Sequence, residues 1–234
     1  MLWLGFAQQK EYIELIVENS RLPQQGPRVA AIILAAGCSS RMGKQNKLLL
    51  PVRGVPIISH VVRAVLASRV EQVIVVLGHD AKEIRQLLPM TRVTCVYNPK
   101  YNTGIASSLR YGLRAVAEEM GSAMIVLGDM PFISSAQLDQ LIAEFKPDLE
   151  KDIVAPVREG RRGNPVLWGR RYFNKMQELH GDTGARNLLL QYAANVSSVE
   201  VNDAAIFLDI DTPVALTNVV DSSSDTISAI DFHG

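Results

Sequence analysis

Continuous runs of β-branched and aliphatic residues alternate with stretches of helical periodicity through most of this chain, and that alternation admits few folds. Residues Val29 to Leu34 are uniformly apolar, which suits a strand buried on both faces of a parallel sheet. Ile58, Val61, Val62 and Val65 recur at helical spacing, so 56–69 is predicted as a helix with one packed stripe. Further buried strands are expected at 72–78, 92–97 and 123–129. The helices between them run from about Ala81 to Leu88 and along Ile105, Leu109, Leu113 and Val116. Leu138, Leu141, Ile142 and Phe145 form the i, i+3, i+4, i+7 face of the next helix, with Ser134 or Ser135 as its N-cap. The fold class read from this pattern is α/β, a single domain built on an open, mostly parallel sheet with helices on both faces.

Beyond Pro147 the pattern changes to DIVAPV, NPVLW, SSVEV and AIFLDI, short strands whose spacing suggests a mixed or antiparallel portion completing the same sheet. A length of 234 residues with 47% hydrophobic content suits one sizeable core, expected over 29–220. Residues 1–28 read as an N-terminal extension: the amphipathic EYIELIVENS, helical to about Asn19, then a linker punctuated by Pro23, Gly26 and Pro27. Residues 221–234 are polar and aperiodic and read as a flexible tail.

Lysine plus arginine balances aspartate plus glutamate at 24 each, so no overall basic field exists to hold a nucleic-acid backbone or an anionic membrane. Any anion must be met by local charge. Cys38 and Cys95 are the only cysteines, and neither belongs to a CxxC or Cys/His cluster, which argues against a disulfide framework or structural zinc. No apolar run reaches the ~20 residues of a membrane helix, and the opening MLWLGF lacks the basic start of a secretory signal. The expectation is a soluble protein of the reducing cytoplasm.

In open α/β sheets ligands sit at the carboxyl ends of the strands. Directly after the first strand stands LAAGCSSRMGKQNKLLLP, residues 34–51. Gly37 and Gly43 allow close backbone approach, so successive amides can face phosphate oxygens while Arg41, Lys44 and Lys47 neutralise them; a triphosphate is the natural guest. This is neither a Walker loop, because five residues separate the glycines and Gln45 stands where Ser or Thr should follow the lysine, nor a GxGxxG turn.

LAAG, then SSRMG, then a lysine before LLLP resembles the signature loop of nucleotidyltransferases related to molybdenum cofactor cytidylyltransferase. The resemblance continues in order through LGH at 77–79, NPKYNTGIASSL at 98–109, GDMP at 128–131, GNPVL at 163–167, GDTGAR at 181–186 and DIDTP at 209–213, and so spans about 29–217. It implies a Rossmann-like sheet of the nucleotide-diphospho-sugar transferase type. The activity implied is transfer of CMP from CTP to the terminal phosphate of a molybdopterin-type cofactor, with release of pyrophosphate, before the cofactor enters a molybdenum hydroxylase. It also implies nucleotide contacts from Leu34, Ala35, Ala36, Gly37, Ser39, Ser40 and Gly43, and from Gly78 and His79, although His79 reads equally as a solvated loop residue.

Asp129 closes the fourth strand in GDMP, where a carboxylate can ligate Mg²⁺, an ion that takes one or two carboxylates plus water and phosphate oxygens. In DIDTP, Asp209 and Asp211 share a face if still extended. The resemblance implies a polar metal ligand just before the final helix, a place Asp211 matches better, while Asp211 or Thr212 reads equally as a helix cap with Pro213 at the first helical position. Asn98 carries donor and acceptor atoms, Gly104 permits a tight turn and Ser107 begins a helix, equipment for reading a base or ribose. His60, His180 and His233 are isolated and receive no role, and Cys38 lacks the His or Asn partners of a catalytic thiol.

GNPVL and GDTGAR are expected to face the acceptor, with Arg161, Arg162 and Arg186 placed to meet a pterin phosphate. Asp182 is read as orienting Arg186 or capping a helix that begins near Gly184. Related proteins often carry histidine where Asn164 stands, so the acceptor side departs from the family pattern. Guanylyl-transferring relatives tend to have LAGG; Ala36 adds a methyl here, which favours cytosine over guanine. In the mechanism this implies, Arg41 and Lys47 stabilise charge on the α-phosphate and pyrophosphate while Asp129 holds the metal. Transfer to a sugar or alcohol phosphate, use of GTP, or a non-catalytic accessory role in delivering cofactor to a hydroxylase or its chaperone through residues 10–19 are the competing readings.

Overall fold

The structure is a computed structural model that describes residues 28–38 and 46–201. Its central strand β1 (Val29–Ala35) is flanked by β4 (Gln72–Leu77) and β6 (Ser122–Leu127), both parallel to it, and β5 (Thr94–Tyr97) adds in parallel outside β4. On the other side β9 (Val166–Gly169) runs antiparallel to β6 and to β7 (Ile153–Arg158), while β10 (Val196–Glu200) lies parallel to β7 at the edge. The order is β10-β7-β9-β6-β1-β4-β5, with the short β8 (Arg161–Arg162) turned back on β7 and a separate hairpin formed by β2 (Pro51–Val52) and β3 (Val55–Pro56).

Helix α1 (Ile57–Leu66), α2 (Ala81–Gln86) and α4 (Ser135–Glu144) cover one face of the sheet, where Val61, Val65, Ile84, Leu138 and Ile142 pack against Ala31, Ile33 and Val75. Helix α3 (Ile105–Arg114), α5 (Phe173–Gln177) and α6 (Arg186–Gln191) cover the other, with Leu109, Leu113, Met176 and Leu188 against Ile32, Val76 and Trp168. Successive β1 side chains thus feed opposite cores, as period-2 geometry requires, and residues 29–33 are fully buried. Each large aliphatic side chain buried this way contributes about 1.5–3 kcal/mol against the entropy of ordering the chain.

The expected mixed, mostly parallel sheet is present. The late portion contains both orientations, β9 antiparallel and β10 parallel. Ser134 rather than Ser135 caps α4, in a reciprocal capping box with Gln137. The expected AIFLDI strand, the N-terminal helix and the C-terminal tail lie outside the described residues. Among the described residues no helix is long and apolar enough to cross a membrane.

Candidate functional site at the carboxyl end of the central strand

Connections leave β1 toward β4 on one side and return to β6 on the other, so the crevice of the sheet opens where β1 ends. The backbone at that point is tightly fitted: Gly128 N donates to Leu34 O at 3.0 Å, and His79 N donates to Ala36 O at 3.2 Å. A Cβ on Gly78 would stand 2.7 Å from Ala36 O and 2.6 Å from Tyr101 Cβ, so only glycine lets the β4 loop lie against the end of β1. Leu34, Ala35 and Ala36 form this floor, with Ala36 only 3% exposed, while Gly37 emerges into open space.

Across this crevice Lys47 Nζ donates to Asp129 Oδ2, although the two residues are 82 positions apart. Each is placed by its own element. Lys47 opens a 3-10 turn, Lys47–Leu49, capped by the Asn46 side chain, which accepts from Leu48 N at 3.1 Å, and the buried Leu48 anchors that turn in the core. Asp129 follows β6, whose Leu127 is level with Leu34 of β1. The ion pair is largely shielded, with side-chain exposures of 17% and 15%. Asp129 Oδ1 is buried and meets no donor among the described residues.

Asn98 and Ser107, expected at the nucleotide, have their polar atoms in hydrogen bonds within the protein. Asn98 is fully buried: its Nδ2 donates to Ser107 Oγ at 2.9 Å and Ser108 Oγ at 3.0 Å, and its Oδ1 accepts from Lys100 N at 2.9 Å. Ser107 Oγ lies 2.8 Å from Lys100 O and 2.9 Å from Gly104 O. Both amide N–H donors and one acceptor site of Asn98 clamp the 98–104 loop to the start of α3.

Gly104 has φ +104°, and a Cβ there would fall 2.3 Å from Gly181 C, so the tight turn is real and serves a close approach of two loops. The partner loop corrects the reading of Asp182. Its Oδ1 accepts from Ile105 N at 3.2 Å and Gly181 O accepts from Ala106 N at 3.1 Å, so Asp182 caps α3, not the helix near its own position. No ion pair joins it to Arg186, which is exposed at the start of α6.

His79 stands at the crevice beside Asp80, Nε2 to Oδ2 3.4 Å, with its ring centroid 6.1 Å from that of Tyr101. Asn164 immediately precedes Pro165 and β9; since Val166 pairs antiparallel with Ile125, Asn164 falls level with Leu127, at the end of the sheet that carries Asp129. Arg161 and Arg162 are exposed on β8, at the carboxyl end of β7. Ser39, Ser40, Arg41, Gly43, Lys44, Asp209 and Asp211 lie outside the described residues.

Sequence reasoning passed over three contributors. Tyr101 is an aromatic wall beside His79, Asn46 caps the lysine turn, and His60 Nε2 donates to Val52 O at 2.8 Å, tying α1 to the β2–β3 hairpin. An Asn ahead of KLLL was a legible cap; the other two depend on tertiary approach. Burial pushes the Cys95 thiol up, and the nearby Arg85 guanidinium opposes this.

The chain is 30% identical over 186 residues to molybdenum cofactor cytidylyltransferase of Escherichia coli, covering 79% of this chain and 92% of that protein. It is 27% identical over 192 residues to nicotine blue oxidoreductase of Paenarthrobacter nicotinovorans, covering 80% and 93%. Its fold superimposes on a nucleotidyl transferase from Methanothermobacter thermautotroptrophicus with a TM-score of 0.74 at 25% identity, over 86% of this chain and all of that one. With residues 31–220 matching it, the chain belongs to the MobA-like NTP transferase domain family.

Proposed function

We propose that the chain is a cytidylyltransferase that moves CMP from CTP to the terminal phosphate of a molybdopterin-type acceptor, with Mg²⁺ held by Asp129. The observation that carries this reading is the shielded Lys47–Asp129 pair at the end of β1, with one carboxylate oxygen engaged by the ammonium and the other buried without a donor among the described residues. A buried carboxylate oxygen in that condition fits a hard cation. Among the described residues no three His, Cys, Asp or Glu side chains cluster as ligands. Magnesium does not need such a cage, because waters and phosphate oxygens complete its octahedron. Asp211 is the proposed second ligand.

When bound, the metal supplies charge neutralisation at the polyphosphate. The remaining work falls to the chain. Backbone amides of 36–38 and the Lys47 ammonium hold the triphosphate, and Arg41 with Lys47 balances charge gathering on the α-phosphate and pyrophosphate. Ser39, Ser40 and Gly43 extend the cradle, while Gly78 and His79 with Ala36 border the base. An acceptor phosphate oxygen attacks the α-phosphorus and a new P–O bond to CMP forms. The bond from that phosphorus to the bridging oxygen breaks, and pyrophosphate leaves with the electron pair. Alignment and neutralisation suffice, and no covalent enzyme intermediate is required. Asn164, Arg161, Arg162 and Arg186 are the proposed acceptor contacts, arginine being suited to paired phosphate oxygens. Two free cysteines accord with a cytoplasmic setting, where a molybdenum hydroxylase or its chaperone would receive the product.

A second reading, a redox enzyme, is favoured only by the similarity to nicotine blue oxidoreductase. The deciding experiment supplies the full chain with Mg²⁺, each of CTP, GTP, UTP and ATP, and either molybdopterin or a sugar phosphate, and reads pyrophosphate and product mass. CTP with molybdopterin is expected to yield the CMP adduct. A preference for GTP would refute the base assignment, a nucleotide sugar the acceptor, and no pyrophosphate from any pair would remove transfer altogether.

A further inference from the structure

Away from the crevice, α1 and the segment from Gln86 to Arg92 enclose a groove of about 550 Å³. Val62, Leu66 and Leu88 line its interior, Leu87 stands 39% exposed at its edge, and Arg63 and Arg92 supply its charge; among the described residues no carboxylate lines it. We propose that residues 10–19 of the same chain dock there as an acidic amphipathic helix. At 100° per residue Tyr12, Ile13 and Ile16 gather on one side of such a helix, while Glu11, Glu14 and Glu18 gather on the other. The apolar side enters the groove, and the long arginine side chains reach up its flanks to the glutamates.

Chain geometry favours this occupant. Arg28, where the described chain begins, is bound to Glu71 through Nε to Oε2 at 2.8 Å. Glu71 is five residues from Leu66, whose carbonyl accepts from Arg92 Nη2 at 3.2 Å. Five residues span at most ~18 Å, and the linker of residues 20–27 reaches ~28 Å when extended, so the tether suffices.

The test uses the full chain with Cys38 and Cys95 replaced by serine, carrying Ile16→Cys with Leu87→Cys, or Ile16→Cys with Leu190→Cys on α6 of the opposite face. Under mild oxidant the 16–87 disulfide should close within one chain roughly tenfold or more faster than the 16–190 disulfide, because docking raises the local thiol concentration. Arg63→Glu should slow closure about threefold, as an exposed ion pair allows, and adding Glu14→Arg should restore it. The comparison of the two cysteine pairs stands without the charge variants, should those fold poorly. Equal closure rates, or a disulfide-linked dimer as the main product, would overturn the proposal.

Discussion

Lys47 and Asp129 meet through one carboxylate oxygen because β1 and β6 are neighbours: the turn after the first strand and the loop after the fourth parallel strand are carried to the same end of the sheet. On the proposed mechanism the ammonium serves both the carboxylate and the polyphosphate. Lys47→Met should raise KM for the triphosphate by about 10- to 100-fold, the worth of a hydrogen bond to a charged group. Lys47→Arg should recover little, since its planar fork does not replace a point charge. Steady-state pyrophosphate release measures both.

Asn98→Ala should leave two serine hydroxyls and the Lys100 amide without their partner, at a cost of about 1–3 kcal/mol in stability. Because Asn98 is fully buried, its replacement should act on the nucleotide only through the 98–104 loop. Urea unfolding should therefore show a loss in every buffer, with or without nucleotide. A variant as stable as the parent but unable to bind CTP would restore Asn98 as a direct contact.

Asp182→Ala removes a cap supplied to α3 from 77 residues away and should cost about 0.5–2 kcal/mol, with Asp182→Asn retaining most of it. Chemical denaturation of the three proteins decides this. If capping is its only role, KM for the acceptor should change less than stability does.

The Tyr172 hydroxyl is pushed up to about 12, first by burial and then by its hydrogen bond to the Asp152 carboxylate at 2.9 Å, with Arg171 pulling the other way. A phenol raised above its unfolded value near 10 contributes stability that is complete below pH ~10 and lost as pH climbs toward 12, on the order of 2 kcal/mol. Tyr172→Phe should flatten that alkaline limb when melting temperature is followed against pH. A limb unchanged in the variant would assign it to other groups.

The parallel half of the sheet was legible because β1, β4 and β6 are continuous apolar runs bounded by glycine, a pattern that only two-sided burial explains. The direction of β9 was not, because four apolar residues look the same read either way and its orientation is fixed by pairing with β6 and β7. At the site, Lys47 and Asp129 were legible as separate motifs from their places after strands. Asn98 was legible as a polar residue in the right loop, but its complete burial arises only when Ser107 and Ser108 return on α3. Asp182 misled for the same reason: a capping residue normally serves the helix beside it, and this one serves a helix brought to it by Gly104. The Asp152, Arg171 and Tyr172 cluster carries no sequence signature, since two of its members sit in a turn after β9 and the third before β7.

Divalent-ion binding at Asp129 tests the central claim most directly. Mn²⁺ titrated into the full chain with CTP present, and read as loss of the free-ion electron paramagnetic resonance signal, should be bound about tenfold or more weakly by Asp129→Asn, which keeps the shape but not the charge of the ligand. Equal Mn²⁺ affinity in the two proteins would contradict the account.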